Sequence, residues 1–346
     1  MKKVLIFGSG SIGNHFANAL TRMSGYDIFI TDISNKSLNR MKDKIYPERY
    51  GKWNKKINLI PYNSVFNLEH NFDLIIIGTP PDTHLQLFKL IKKKIFYKRI
   101  LIEKPLTPFN HDFKKIYKEN NNSIFCGYNH SVSQSFTHLI KKFKKIKTSE
   151  LQFVKINWSE GFNGILNAHF WLKDEFDSYL GNFKRGGGAL HEHSHCLHLA
   201  ICLIKQKFDI SDFKIEFKKI IKEKNKLEYD SYAQIAFSKK NLKIIVETDL
   251  LNNFETNKSV EIFSKSNDLY WSCSYSKEFD LVISKFKKIK KNVIKKFKKD
   301  RTIEFINELK HINKINKFNY KKSFLSEFYI KDTMEIIKGF YNQKNN

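Results

Sequence analysis

The sequence predicts an α/β protein in two parts: a Rossmann dinucleotide-binding domain over residues 1–128, then an α+β domain over residues 129–346 with an open, mainly antiparallel sheet. Three observations carry this. An apolar run, Val4-Leu5-Ile6-Phe7, leads straight into Gly8-Ser9-Gly10-Ser11-Ile12-Gly13. Further short apolar runs recur over the first 130 residues with helical stretches between them, the alternation of a parallel sheet. Beyond residue 130, strand-like segments follow one another without helices between them.

The opening run is continuous and partly β-branched, as in a strand buried on both faces. Residues 14–23 have helical spacing, with Phe16, Leu20 and Met23 on one face. A second strand over 27–31 ends in Asp32. Each part of G-x-G-x-x-G has a physical task. Gly8 permits the tight turn, Gly10 lets a pyrophosphate approach the backbone, and Gly13 lets helix and strand pack closely. The backbone at Ser11 and Ile12 opens the helix, whose unpaired N–H groups and positive dipole end suit phosphate. Asp32 lies 19 residues after Gly13, where a carboxylate accepts hydrogen bonds from the adenosine ribose. It would repel a 2′-phosphate, which favours NAD; Lys36 and Arg40 lie close enough to keep NADP possible.

Leu74-Ile75-Ile76-Ile77 reads as another buried strand, ending at Gly78-Thr79-Pro80-Pro81-Asp82-Thr83-His84. Arg99-Ile100-Leu101-Ile102 is a third, ending at Glu103-Lys104-Pro105. Ligands of open α/β sheets bind beyond the carboxyl ends of the strands, and both motifs sit at such ends.

With Gly127-Tyr128-Asn129 added, the order and spacing of these motifs resemble the Gfo/Idh/MocA oxidoreductases, NAD(P)-dependent dehydrogenases of sugars, cyclitols and related polyols. By that resemblance Lys104 matches the catalytic lysine, and Thr79, Pro80, His84 and Glu103 match positions around the nicotinamide end. The resemblance also implies that the second domain's sheet covers the nicotinamide and carries the substrate. It further implies that the late helices (302–312 and 324–337) pack back toward the first domain, and that copies associate through the C-terminal sheet.

In the second half, segments 151–158, 213–217, 232–237, 242–248 and 259–263 predict the antiparallel sheet. Between the first of these and residue 186 lies an aromatic and charged stretch, 162–183, which suits either sugar recognition or ordinary packing. It is followed by Gly186-Gly187-Gly188-Ala189-Leu190-His191-Glu192-His193-Ser194-His195-Cys196-Leu197-His198. The glycines predict a turn into a helix, on which His191, His195 and His198 share a face. His191 to His195 also satisfies H-E-x-x-H, the spacing of two zinc-binding histidines with a glutamate base. No third ligand stands at a recognisable spacing, so no metal is expected. The resemblance assigns His195 to the histidine facing nicotinamide and substrate, with His191 or Glu192 orienting it. An imidazole there would take the hydroxyl proton as hydride leaves the carbon.

Sixty-two Lys and Arg against 35 Asp and Glu give a net charge of +27. The excess is mostly Lys, accompanied by many Asn, Ile, Phe and Tyr, all served by A/T-rich codons, so neither a nucleic acid nor a membrane partner is expected. No stretch is apolar enough to span a bilayer, and four scattered cysteines form no framework; the chain reads as a cytoplasmic, reduced protein. Residues 281–299 carry Val282, Phe286, Ile289, Val293 and Phe297 among many lysines, the pattern of a basic amphipathic helix or an extended segment. A surface helix of that kind would suit the alternative function, a dinucleotide-binding regulator without turnover.

Overall fold

The computed structural model describes residues 1–68, 71–118, 122–167, 169–224, 226–252 and 255–343. Its chain divides into two compact units: residues 1–107, 111–129 and 301–327 form one, and residues 108–110, 130–300 and 328–346 the other.

The first unit is built on six parallel strands: β1 (Lys2–Phe7), β2 (Tyr26–Asp32), β3 (Ile57–Pro61), β4 (Leu74–Ile77), β5 (Ile100–Glu103) and β6 (Ile124–Gly127), in the order β3-β2-β1-β4-β5-β6. The reversal between β2 and β4 around β1 is the switch point at which such sheets bind ligands. Val4–Phe7, Leu74–Ile77 and Ile100–Glu103 are buried throughout, as uninterrupted apolar strands between helical layers must be. Helix α1 (Ser11–Thr21) follows β1, and α2 (His84–Lys94) follows β4. Sequence adjacency does not reveal the last member of this unit. Helix α6 (Arg301–Lys314) packs on α1, with Phe305 edge-on to Phe16 at 4.8 Å between centroids and Thr302 accepting a hydrogen bond from Asn18 Nδ2 at 2.9 Å.

The second unit holds an eight-stranded sheet: β7 (Leu151–Ser159), β8 (Lys214–Lys224), β9 (Leu227–Lys239), β10 (Leu242–Asp249), β11 (Asn257–Ser264), β12 (Asn267–Ser272), β13 (Phe279–Phe286) and β14 (Lys291–Lys298). Their order is β8-β9-β10-β7-β11-β12-β13-β14, antiparallel except for the parallel β10–β7 pair. Helices α3 (Gln134–Phe143), α4 (Ala189–Glu192) and α5 (His195–Ile204) lie in this unit, as does most of α7 (Glu327–Asn342). All ten residues of α5 are buried, which its near-continuous apolar sequence requires. Among the described residues no helix is long and apolar enough to cross a membrane.

Of the two readings of 281–299, the extended one holds and the basic helix does not: the segment is a hairpin, β13 paired with β14 from Phe279↔Lys298 to Phe286↔Lys291. Val282 is buried, whereas Val293 and Ile294 on β14 are exposed. β14 is an edge strand wetted on almost every residue, so it needs no period-two pattern. Its lysines deter pairing with another sheet edge.

Candidate functional site

In the first unit the glycine loop is shaped by close contact. A Cβ at Gly13 would stand 2.0 Å from the Gly8 carbonyl oxygen, so any side chain there would force helix and strand apart. Around Gly10 there is open space on the side where a Cβ would point, room for a ligand against the backbone. Gly10 caps α1 without a side-chain acceptor, and the first turn carries no acidic residue to offset the positive helix end. Ser11 and Ile12 open this turn and are only half-buried. Asp32, ending β2, accepts from Ser9 N and Ser9 Oγ at 2.9 and 2.8 Å and from Ser34 N at 3.0 Å, which locks the loop against the second strand. These residues fit a dinucleotide: open backbone at the helix start, and a carboxylate at the end of the next strand.

Arg49 is a cation the sequence gives no motif for. From the short helix Tyr46–Tyr50 its Nη1 donates to Ser11 Oγ at 2.8 Å, placing a guanidinium beside the glycine loop. Burial, the largest influence, lowers its pKa.

At the end of β4, Thr79 and Pro80 remain accessible, while His84 is fully buried at the start of α2. His84 Nε2 lies 2.8 Å from the Thr79 carbonyl oxygen and Nδ1 3.1 Å from that of Leu106. Burial pushes this imidazole down, and a neutral ring donates to only one of two carbonyls. The ring therefore sits between the loop after β4 and the loop after β5. Glu103 closes β5 and is 6% exposed; its Oε2 accepts from Lys104 N at 3.3 Å. Lys104 itself is half-exposed.

In the second unit the histidine segment does not form one helix. α4 ends at Glu192, His193 leaves helical geometry with φ −97° and ψ 24°, and α5 restarts at His195. The break removes the shared face expected for His191, His195 and His198. His191 is fully buried, places Nδ1 3.0 Å from the Gly187 carbonyl oxygen and stacks on Tyr341 at 4.5 Å; burial drops it to about 3. His193 Nε2 lies 3.1 Å from the Glu160 carbonyl oxygen, and burial lowers it to about 4. His198 is in the core against Thr333 Oγ1 at 3.1 Å. His195 keeps 9% of its surface exposed. Its ring stacks on Trp158 at 5.4 Å and meets His130 edge-on at 4.8 Å, so its imidazole neighbour comes from outside the glycine-histidine segment. Glu192 is half-exposed and accepts a long hydrogen bond from Tyr179 Oη at 3.5 Å. Among the described residues no group of three His, Cys, Asp or Glu side chains is placed to hold a metal ion.

Asp230 fixes the turn into α4. Its Oδ2 accepts from Leu190 N at 2.8 Å and its Oδ1 from Tyr341 Oη at 2.6 Å. Gly188, at φ 89°, leaves space that a Cβ would fill 1.9 Å from that Oδ1. From the stretch 162–183, Phe162, Ile165 and Leu180 cluster with Ala189, Tyr229 and Leu250.

A parallel sheet with a glycine loop at its switch point and an acidic residue ending the second strand defines a dinucleotide-binding domain. Residues 2–124 match the model of the Gfo/Idh/MocA oxidoreductase family, a family with an NAD-binding Rossmann fold. A 3-ketoreductase from Actinomadura kijaniata, solved as a mutant with TDP-benzene and NADP, is similar over 98% of this chain and 96% of its own, with a TM-score of 0.67 and 10% identity. An oxidoreductase from Agrobacterium radiobacter, solved with NAD+, L-tartaric acid and magnesium, is similar over 98% and 95%, with a TM-score of 0.66 and 13% identity. At these identities the likeness is one of fold. No curated protein sequence matches.

Proposed function

We propose that the protein transfers hydride between a nicotinamide dinucleotide, NAD in preference to NADP, and a hydroxyl-bearing carbon of a sugar, nucleotide sugar or cyclitol. The observation that carries this is the pairing of an open Gly10 backbone with Asp32 in the first unit, and of His195, which keeps a small exposed surface, with a Trp158–His130 aromatic wall in the second. Aromatic faces and imidazoles together suit a polyol, whose C–H faces pack on rings while its hydroxyls seek acceptors.

When bound, the dinucleotide supplies the hydride-accepting or hydride-donating ring. Gly10 and the first turn of α1 bind its phosphates, and Asp32 the adenosine ribose. Lys104 holds the substrate oxygen as negative charge develops on it, and His195 takes the hydroxyl proton. Trp158 fixes the plane of the His195 ring, and His130 offers the second imidazole through which a proton can leave. Glu192 is placed by Tyr179 for a substrate hydroxyl. His191 supports the turn as a neutral ring rather than moving the proton, because its burial and the Gly187 contact leave no path for one.

Copies of the chain associate through the sheet face where Phe263, Tyr270 and Ile283, with Glu261, Asp268 and Lys285 beside them, line a shallow groove. The reading is tested by screening NAD-dependent oxidation of polyols with the Lys104→Ala variant as control. Turnover should fall at least about 100-fold while NADH still binds. Undiminished turnover in Lys104→Ala would remove the lysine from the reaction.

A further inference from the structure

Arg49 lies outside every motif of the dinucleotide reading, yet its Nη1 donates at 2.8 Å to the hydroxyl of Ser11, the residue that opens α1. An irregular helix puts it there. After the regular turns Asn35–Arg40 the chain passes through a wider one, Met41–Ile45, closed by Tyr46 N–H on the Met41 carbonyl five residues back. Pro47, in the first turn of the helix Tyr46–Tyr50, has no N–H with which to continue four-residue pairing. One extra residue in a helical turn rotates everything after it by about 100° around the axis. Arg49 and Tyr50 thereby meet α1 one turn apart, Arg49 at Ser11 and Tyr50 Oη at His15 Nδ1. Buried Tyr46 holds this turn, with its ring edge-on to Tyr50 at 5.3 Å and to Trp53 at 5.1 Å.

The same surface of α1 gathers further positive charge. Its first turn has no acidic residue, so nothing in it offsets the positive helix end. His15 stacks on Phe305 at 5.0 Å, and the Arg301 guanidinium stands 5.0 Å over that same ring. Glu304 pairs with Arg301 at 2.8 Å, but the charge of Arg301 still weighs on Arg49, against the opposing influence of Tyr50 and Glu48. A partly buried guanidinium at the positive end of a helix is unfavourable by itself and favourable around an anion. The two serines of the glycine loop face different charges: Ser9 is bonded to Asp32 and Ser11 to Arg49. A guanidinium carries its five N–H donors in a planar fork, the geometry that grips two oxygens of one phosphate.

We infer that Arg49 is a binding residue for the pyrophosphate bridge of the dinucleotide, gripping from the Tyr46–Tyr50 helix the same phosphates that the first turn of α1 receives. The inference rests on the dinucleotide reading above. Arg49 is tied to the helix end through Ser11, whereas a 2′-phosphate belongs with the ribose, on the Asp32 and Ser9 side of the loop. The pyrophosphate is common to NAD and NADP. Arg49 therefore raises affinity for both, and Asp32 sets the choice between them.

Nicotinamide fluorescence titrations with NADH and NADPH on the unmodified protein, Arg49→Ala and Arg49→Lys test this. Arg49→Ala should weaken both dinucleotides by the same factor, about 10- to 100-fold, the loss of one charge-assisted contact. Arg49→Lys keeps the charge without the fork and should fall between the other two. Unchanged affinities in Arg49→Ala would overturn the inference, and so would a loss confined to NADPH, which would move Arg49 to the 2′-phosphate. Binding of neither nucleotide by the unmodified protein would overturn the dinucleotide reading and this inference with it. A second measurement needs no variant. Phenylglyoxal labels accessible guanidiniums, and peptide mass spectrometry reports Arg49 separately from the other arginines. NADH and ADP-ribose, which both carry the pyrophosphate, should protect Arg49, and adenosine, which has no phosphate, should not. Labelling indifferent to NADH, or reduced as much by adenosine, also refutes the contact.

Discussion

Asp230 offers a perturbation whose size follows from its surroundings. Its carboxyl is fully buried, and burial raises it from an ordinary 3.8 to about 7, although the hydrogen bonds from Tyr341 Oη and Leu190 N favour the ionised form. In the unfolded chain the group ionises near its ordinary value. Between those values the folded state therefore binds the extra proton, and stability falls as pH rises. From pH 5 to pH 8 this costs about 2.5 kcal/mol, at about 1.4 kcal/mol per pH unit up to the folded value. Asp230→Asn keeps the size and an acceptor for Leu190 N but has no proton to lose. Urea unfolding followed by tryptophan fluorescence, at several pH values for both proteins, isolates the term as a difference between two curves. The variant's advantage over the unmodified protein should grow by about 2.5 kcal/mol across that range. Parallel curves would mean that Asp230 is ionised in the folded protein at pH 5 or is reached by water, and the account of the α4 turn would fail.

Further expectations follow from other sites. Burial holds His191 at about 3, and His193 and His311 at about 4, so the stability their neutral rings contribute is complete above about pH 6.5 and lost as pH falls toward 4; thermal melts that stay level over that range would contradict their burial. His130→Phe preserves an aromatic edge against His195 but removes the nitrogens, and should lower turnover about tenfold and displace the acid limb of its pH profile. An unaltered profile would leave His130 a packing residue. Asp32→Asn keeps contacts to Ser9 but loses the charge, so NADPH should gain on NADH by about tenfold or more in direct binding.

The parts of the fold legible in the sequence are those fixed by neighbours in the chain. Val4 to Gly13 is one strand, one turn and one helix start, and the buried runs at 74–77 and 100–102 need no distant partner to be recognised. The histidine segment was readable as a turn into a helix but not in its detail. The break at His193 depends on Glu160, and the burial of His191 on Tyr341, residues 33 and 150 positions away. His130 follows the Gly-Tyr-Asn motif directly, yet only the folded sheet, with Trp158, brings it to His195. The hairpin over 279–298 was open to a helical reading because an edge strand exposed on both faces is released from alternation. Glu308 carried no signal at all: one glutamate in a polar helix becomes unusual only once α6 is packed on α1 and the carboxyl is fully buried.

Titration of the purified protein with NADH and NADPH, followed by nicotinamide fluorescence, tests the central claim most directly. The account predicts saturable, tight NADH binding and weaker NADPH binding, set by Asp32 at the end of β2. Binding of neither would contradict it, leaving the glycine loop without its ligand and the oxidoreductase reading without its reagent.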